Sequence, residues 1–94
     1  MNYAWQARIR DISGLADRSA YGLPDESGVL LVDVPAASPA AAAGLQKDDV
    51  ILACNGQPVR TASDLQKLRD KAAGQKLTLL ISRKQKQVTV EVRE

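Results

Sequence analysis

Few side chains in this sequence could make or break bonds. There are six serines (Ser13, Ser19, Ser27, Ser38, Ser63 and Ser82) and no histidine. The usual general base of serine and cysteine hydrolases is therefore missing, and so is the commonest metal ligand. Lysine is the one base left for a serine, and nothing marks out such a pair. Cys54 is the single cysteine, which excludes an internal disulfide and a cysteine-rich zinc site. It lies in an apolar segment and reads as a buried, inert thiol. Asp48 and Asp49 are adjacent, but a calcium cage takes about six to eight oxygens, more than this pair supplies. No metal and no cofactor are expected.

Charge excludes further classes. Thirteen basic against eleven acidic residues leave a net +2, too small a bias for a nucleic-acid partner. The densest basic run, Arg83-Lys84-Gln85-Lys86, has no interleaved aromatic residue and reads as a solvated loop. The longest bland stretch, Pro35 to Leu45, contains two prolines and a glycine. No apolar run reaches the roughly 20 residues of a membrane span, so no direct membrane insertion is expected. Met1 is not followed by a basic-then-apolar signal region. That fits a cytosolic protein, or a domain cut from a longer exported chain.

The elements available to position anything are small. A chain of 94 residues and 10.1 kDa should fold to roughly 5,300 Å² of surface and hide about 64% of what it exposes unfolded. That is one modest core, so residues 1–94 are expected to form a single domain. Trp5, Ala7 and Ile9 alternate with polar residues, which predicts a strand over residues 4 to 12. Residues 13 to 27 read as a connection with a helical turn near Leu15 to Ala20. Val29 to Val34 is a short β-rich apolar run, a central strand. Ser38-Pro39-Ala40-Ala41-Ala42-Ala43-Gly44 spells a miniature helix: cap, proline in the first turn, propagating alanines, left-handed stop. A strand over Asp49 to Cys54 should close at an Asn55-Gly56 turn. Thr61-Ala62-Ser63-Asp64 resembles a capping box, predicting a helix to Ala72 or Ala73 with Leu65, Leu68 and Ala72 on one stripe. Strands over Lys76 to Ser82 and around Val88, Val90 and Val92 complete the chain. The expected class is α+β, mainly β: a small bent antiparallel sheet or partial barrel capped by one short and one long helix, with few residues left for a second layer.

The order of elements, together with Gly28-Val29, Ser38-Pro39-Ala40-Ala41, Ala43-Gly44-Leu45, Asp49-Val50-Ile51 and Asn55-Gly56, resembles a PDZ domain across nearly the whole chain. The block from Ser38 to Val59 is its most specific part. The arrangement is similar to the circularly permuted bacterial form in HtrA/Do-type periplasmic serine proteases. The resemblance implies a groove in which an extended peptide, usually a free C-terminus, adds as a strand opposite the long helix. It also implies an extracytoplasmic, periplasmic setting.

Residue by residue, the resemblance places the carboxylate loop on Ala4-Trp5-Gln6-Ala7 and the receiving strand on Arg8 and Ile9. With Thr61 as cap, Ala62, Gln66 and Arg69 face the groove. The implied peptide-binding set is therefore Ala4, Trp5, Gln6, Ala7, Arg8, Ile9, Ala62, Gln66 and Arg69. Gln6 departs from the family, which has glycine there, as do Asp48 and Gln85 at two further glycine positions. Trp5 reads either as a groove contact or as a core aromatic, and Arg69 either as a carboxylate clamp that makes good the loss of glycine or as a solvated helix residue. The implied function is non-catalytic capture of peptides or unfolded protein C-termini for an HtrA-like protease, with the parent's other domains as neighbours. The alternative is a degenerate-groove module that packs on a neighbouring domain or subunit. A groove domain leaves residues 5 to 10 unpaired on one side, and a packing module covers them.

Overall fold

The computed structural model describes residues 2–23, 26–72 and 74–93. Its strands and helices run β1 (Asn2–Ala4), β2 (Ala7–Asp11), α1 (Gly14–Tyr21), β3 (Val29–Asp33), α2 (Pro39–Ala42), β4 (Val50–Cys54), β5 (Gln57–Pro58), α3 (Ala62–Lys71), β6 (Lys76–Arg83) and β7 (Lys86–Arg93). The strands form one open antiparallel sheet in the order β1-β2-β3-β4-β6-β7, with β5 pairing β4. The accessible surface is 5500 Å², close to the value the chain's mass implies.

Around β3 and β4 the sheet buries apolar side chains on both faces, whereas the sequence suggests few residues for a second layer. Successive residues of a strand point to opposite faces. In β3, Val29 and Leu31 therefore join the main core with Ile9, Ile51, Leu65, Leu77, Leu79 and Ile81. Leu30 turns the other way and meets Ile12, Leu23 and Val50, with Tyr21, Val32 and Leu52 at the margin. This two-sided burial is why β3 reads as an unbroken apolar run instead of an alternating one. Gly28 at the head of β3 has φ +127, and a Cβ there would lie 2.8 Å from Val50 Cγ1 and 3.3 Å from the Ile51 carbonyl oxygen. Only glycine permits that approach of β3 to β4.

Local rules account for most boundaries. Ser38 Oγ accepts the Ala41 amide at 3.1 Å, capping α2, and Thr61 Oγ1 accepts the Asp64 amide at 3.2 Å, capping α3. Asn55 and Gly56 turn with φ 51 and 80. α3 ends at Lys71 with Ala72 as its cap; the alternative stop at Ala73 lies outside the described residues. Three departures need correction. The connection after β2 holds a full helix, α1, so three helices are described and not two. The loop between the last two strands is only Lys84-Gln85, because Arg83 and Lys86 pair with each other. The third is that the N-terminal strand is broken in two, β1 and β2. Asp48 and Gln85 hold φ of 72 and 65, so non-glycine residues take the left-handed turns that glycine would fill at less cost.

α1 buries no residue fully, and charge ties it down. Arg10 grips Asp17 with two bonds of 2.6 and 3.0 Å, and the Ser13 amide donates to Asp17 at 2.9 Å. The Arg10 hydrogen bond, followed by the Ser13 amide, lowers the Asp17 carboxyl from 3.8 to about 2. A depressed carboxyl means the unfolded chain binds its proton first, so this contribution is complete above 3.8 and disappears as pH falls through about 2. Urea unfolding of Asp17→Asn is expected to show a shallower acid loss across that window than the unaltered chain. Parallel slopes would remove the assignment.

Candidate functional site

The third correction lies at the N-terminus. Residues 4 to 12 are not one strand. Ala4 ends β1, Trp5 and Gln6 turn with φ 50 and 66, and Ala7 begins β2. Two consecutive positive φ values across a two-residue loop are the twist of a type I′ hairpin, which Asn-Gly ordinarily supplies. Trp5 and Gln6 hold it at a conformational cost on the order of 1 kcal/mol each. Tertiary contacts sustain the turn. The Trp5 indole is 6% exposed within the main core, and the Trp5 carbonyl accepts the Ala40 amide at 3.2 Å, fastening the turn to the first turn of α2.

β1 then lies antiparallel on the outer edge of β2, with Asn2 opposite Ile9, Tyr3 opposite Arg8 and Ala4 opposite Ala7. The other edge of β2 pairs β3, with a register shift between Arg8 and Ile9. Ala7 and Ile9 point into the core, as does Ala4. Arg8 is half-buried, Gln6 is exposed at the apex, and Tyr3 is 54% exposed. Residues 7 to 9, expected bare in a groove domain, are covered by the chain's own first strand.

α3 forms the facing wall. Its start is tied to the end of β2 by the Ala62 amide, which donates to Asp11 Oδ1 at 2.7 Å. Tyr3, Ile9, Ala62, Ser63 and Gln66 line a pocket of about 280 Å³ between these elements. Farther along, the Arg69 guanidinium lies 4.8 Å from the centre of the Trp5 ring, within cation–π range. Arg69 Nη1 donates to Gln66 Oε1 at 3.3 Å, and Gln66 Nε2 donates to Asp70 Oδ1 at 2.9 Å. The register read from the Thr61 cap therefore brings Ala62, Gln66 and Arg69 to the side of β1 and β2. Larger cavities lie elsewhere, such as one of about 500 Å³ between β5 and α3, but that one does not adjoin the outer edge of β2.

The nine residues named from the sequence fall into three groupings. Ile9, Ala62 and Gln66 share the pocket; Trp5 stacks beneath Arg69; Ala4 and Ala7 face each other across the hairpin, with Gln6 at its tip and Arg8 opposite Tyr3. Tyr3 and Ser63 were missed. Ser63 follows from the same helix register as Ala62, whereas Tyr3 had no signal, because the turn after it contains no glycine, asparagine or proline. Among the described residues no group of three or more histidine, cysteine, aspartate or glutamate side chains could hold a metal ion. What the site offers is backbone pairing, a small half-polar pocket and two cations, Arg8 and Arg69.

Comparisons with known proteins bear on the family and the fold. A family model described as PDZ domain matches residues 9–93; β1 and its turn precede the matched span. The periplasmic serine endoprotease DegP of Salmonella typhimurium is 40% identical over 58 residues, covering 62% of this chain and 12% of that protein. A DegP-like periplasmic serine endoprotease of Pseudomonas putida is 40% identical over 74 residues, covering 78% of this chain and 15% of that protein. This chain thus spans under a fifth of either relative. Among solved structures, the HtrA3 PDZ domain bound to a phage-derived ligand, FGRWV, superposes with a TM-score of 0.74 at 26% identity, covering 93% of this chain and 79% of that one. The HtrA-type protease AlgW with a decapeptide superposes at 0.74 with 21% identity, covering 96% and 28%, a likeness of fold.

Proposed function

The chain belongs to the PDZ domain family, and from that premise we propose that it captures extended peptides or protein C-termini by strand addition along β2, with α3 as the facing wall. The observation that carries this reading is the pocket between β2 and α3, lined by Ile9, Ala62, Ser63 and Gln66 with Tyr3. The pairing of Asn2–Ala4 with Ala7–Ile9 adds that the outer edge of β2 can take an antiparallel strand, although here the chain itself covers that edge. Main-chain hydrogen bonds would give affinity, and the pocket beside Ile9, Ala62 and Gln66 selectivity. The peptide ligands of the HtrA3 and AlgW structures support the same reading.

We further assign the domain a non-catalytic role within a longer HtrA-like protease, as substrate tether or regulator, in an extracytoplasmic compartment. The DegP relatives support both assignments. Among the described residues no helix is long and apolar enough to cross a membrane.

A second reading draws on the same covered edge. If β1 closes β2 permanently, the domain serves instead as a packing module for its parent or its oligomer. Amide-shift NMR with a pool of C-terminal pentapeptides, FGRWV among them, each as free acid and as amide, separates the two. Strand addition predicts shifts at Ala7–Ile9 and Ala62–Arg69, with affinities near 1 μM, about −8 kcal/mol. Shifts from free acids alone mean carboxylate-directed capture, and equal shifts from both forms mean capture of internal segments. A pool that moves none of these amides, even when β1 is unpaired by substitution, leaves the packing module.

A further inference from the structure

β1 runs along β2 as a ligand would. It is antiparallel, and its last residue, Ala4, stands opposite Ala7 at the turn, where the end of a captured peptide would lie. It claims the edge of Ala7–Ile9 and, through Tyr3, one wall of the pocket shared with Ile9, Ala62 and Gln66. Resting on the strand-addition reading, we propose that β1 is a built-in competitor: Asn2–Ala4 occupies the peptide site, and a peptide binds by displacing it.

Three observations make the exchange inexpensive. The strand contributes only three residue pairs. The turn that feeds it is Trp5-Gln6, two non-glycine residues at positive φ, so β1 is not held by a turn sequence that favours the hairpin. The attachments that matter to the core sit after the exchange point: the Trp5 ring under Arg69, the Trp5 carbonyl on the Ala40 amide, and inward Ala7 and Ile9. Releasing β1 uncovers Ala4 and the edge of β2 and leaves those in place. The occupant is also a through-going segment, since Ala4 continues into Trp5. The edge therefore admits a strand without a free carboxylate, provided a small side chain sits opposite Ala7. Because β1 is tethered two residues away, its effective concentration is high, and the measured affinity of any peptide is the intrinsic one reduced by the fraction of chains in which β1 is undocked.

The test locks and unlocks the strand. Tyr3 and Arg8 lie next to the hairpin's closing pair, a non-hydrogen-bonded position with Cα atoms about 4.5 Å apart, within disulfide reach. Cys54 is buried, so oxidation of Tyr3→Cys/Arg8→Cys is confined to the new pair. The reduced form of the same chain controls for the loss of both side chains. Ala4→Pro removes an amide donor from the closing pair and unpairs the strand. All are titrated with the tightest peptide of the pentapeptide pool. The expected result is at least tenfold weaker binding by the oxidised chain than by its reduced form, and tighter binding by Ala4→Pro than by the unaltered chain. Tyr3 and Ala4 amides of the unaltered chain should move to unstructured positions as peptide is added. Equal binding by oxidised and reduced forms, with Ala62–Arg69 still shifting, would overturn the competitor while leaving the peptide site intact. Absence of binding by every form, Ala4→Pro included, would overturn the strand-addition reading itself and the competitor with it.

Discussion

Replacing Arg83 by alanine is expected to cost about 3–5 kcal/mol of folding stability, the penalty for stranding a buried charge. The charge is Asp49, whose side chain is 1% exposed. Its Oδ1 accepts Arg83 Nε at 2.9 Å, and its Oδ2 accepts Arg83 Nη2 at 2.8 Å and the Gln46 amide at 2.9 Å. Arg83 Nη2 also donates to the Gly44 carbonyl at 2.8 Å. One guanidinium thus joins the end of β6 to both ends of the segment between α2 and β4. The same bonds to Asp49 raise the Arg83 pKa, so the cation is present at any working pH. Arg83→Lys restores the charge but not the planar fork and should recover only part of the loss. Asp49→Asn combined with Arg83→Ala should cost less than the sum of the two single changes, because the pair disappears together. Urea unfolding measures all of these, and a loss below about 1 kcal/mol for Arg83→Ala would contradict the burial argument.

Trp5→Ala is the second large effect, expected at about 3–5 kcal/mol for a large aromatic removed from a packed core. The change removes the indole from beneath Arg69 and takes away the anchor that holds two residues at positive φ. Trp5→Phe keeps much of the apolar area and should cost clearly less. As Trp5 is the sole tryptophan, its fluorescence in the unaltered chain reports the same transition: blue-shifted emission when folded, moving red with the urea curve. Should Trp5→Ala unfold at the same urea concentration as the unaltered chain, the indole is not the anchor its burial implies.

Much of this architecture was legible because it rests on local rules. Ser38-Pro39 and the alanines after it announce α2, Asn55-Gly56 announces its turn, and the Thr61 cap fixes which face of α3 looks toward β2. Where sequence reading stopped, the cause is non-local. Trp5-Gln6 carries no turn chemistry. Its conformation is imposed by the core around the indole and by an amide of α2, so alternation alone suggested one strand where there are two. Arg83 was assigned to a solvated loop by its neighbours Lys84 and Lys86, and its partner Asp49 lies 34 residues away. The second layer under α1 was hidden for a related reason: Leu30 and Val32 read only as part of an apolar run, without a sign of which element covers them. The positive φ values at Gln6, Asp48 and Gln85 fall at the three positions where the PDZ resemblance expects glycine.

The sheet is open, and an open sheet has ends. Without β1, Ala7–Asp11 would present a bare row of amides and carbonyls, a template on which a strand of another copy could form. Three residues cover most of that template, and a strand so short passes little of it on. The strand Asn2–Ala4 thus covers an edge that another copy could otherwise extend, and freeing the edge for a ligand would also free it for self-association.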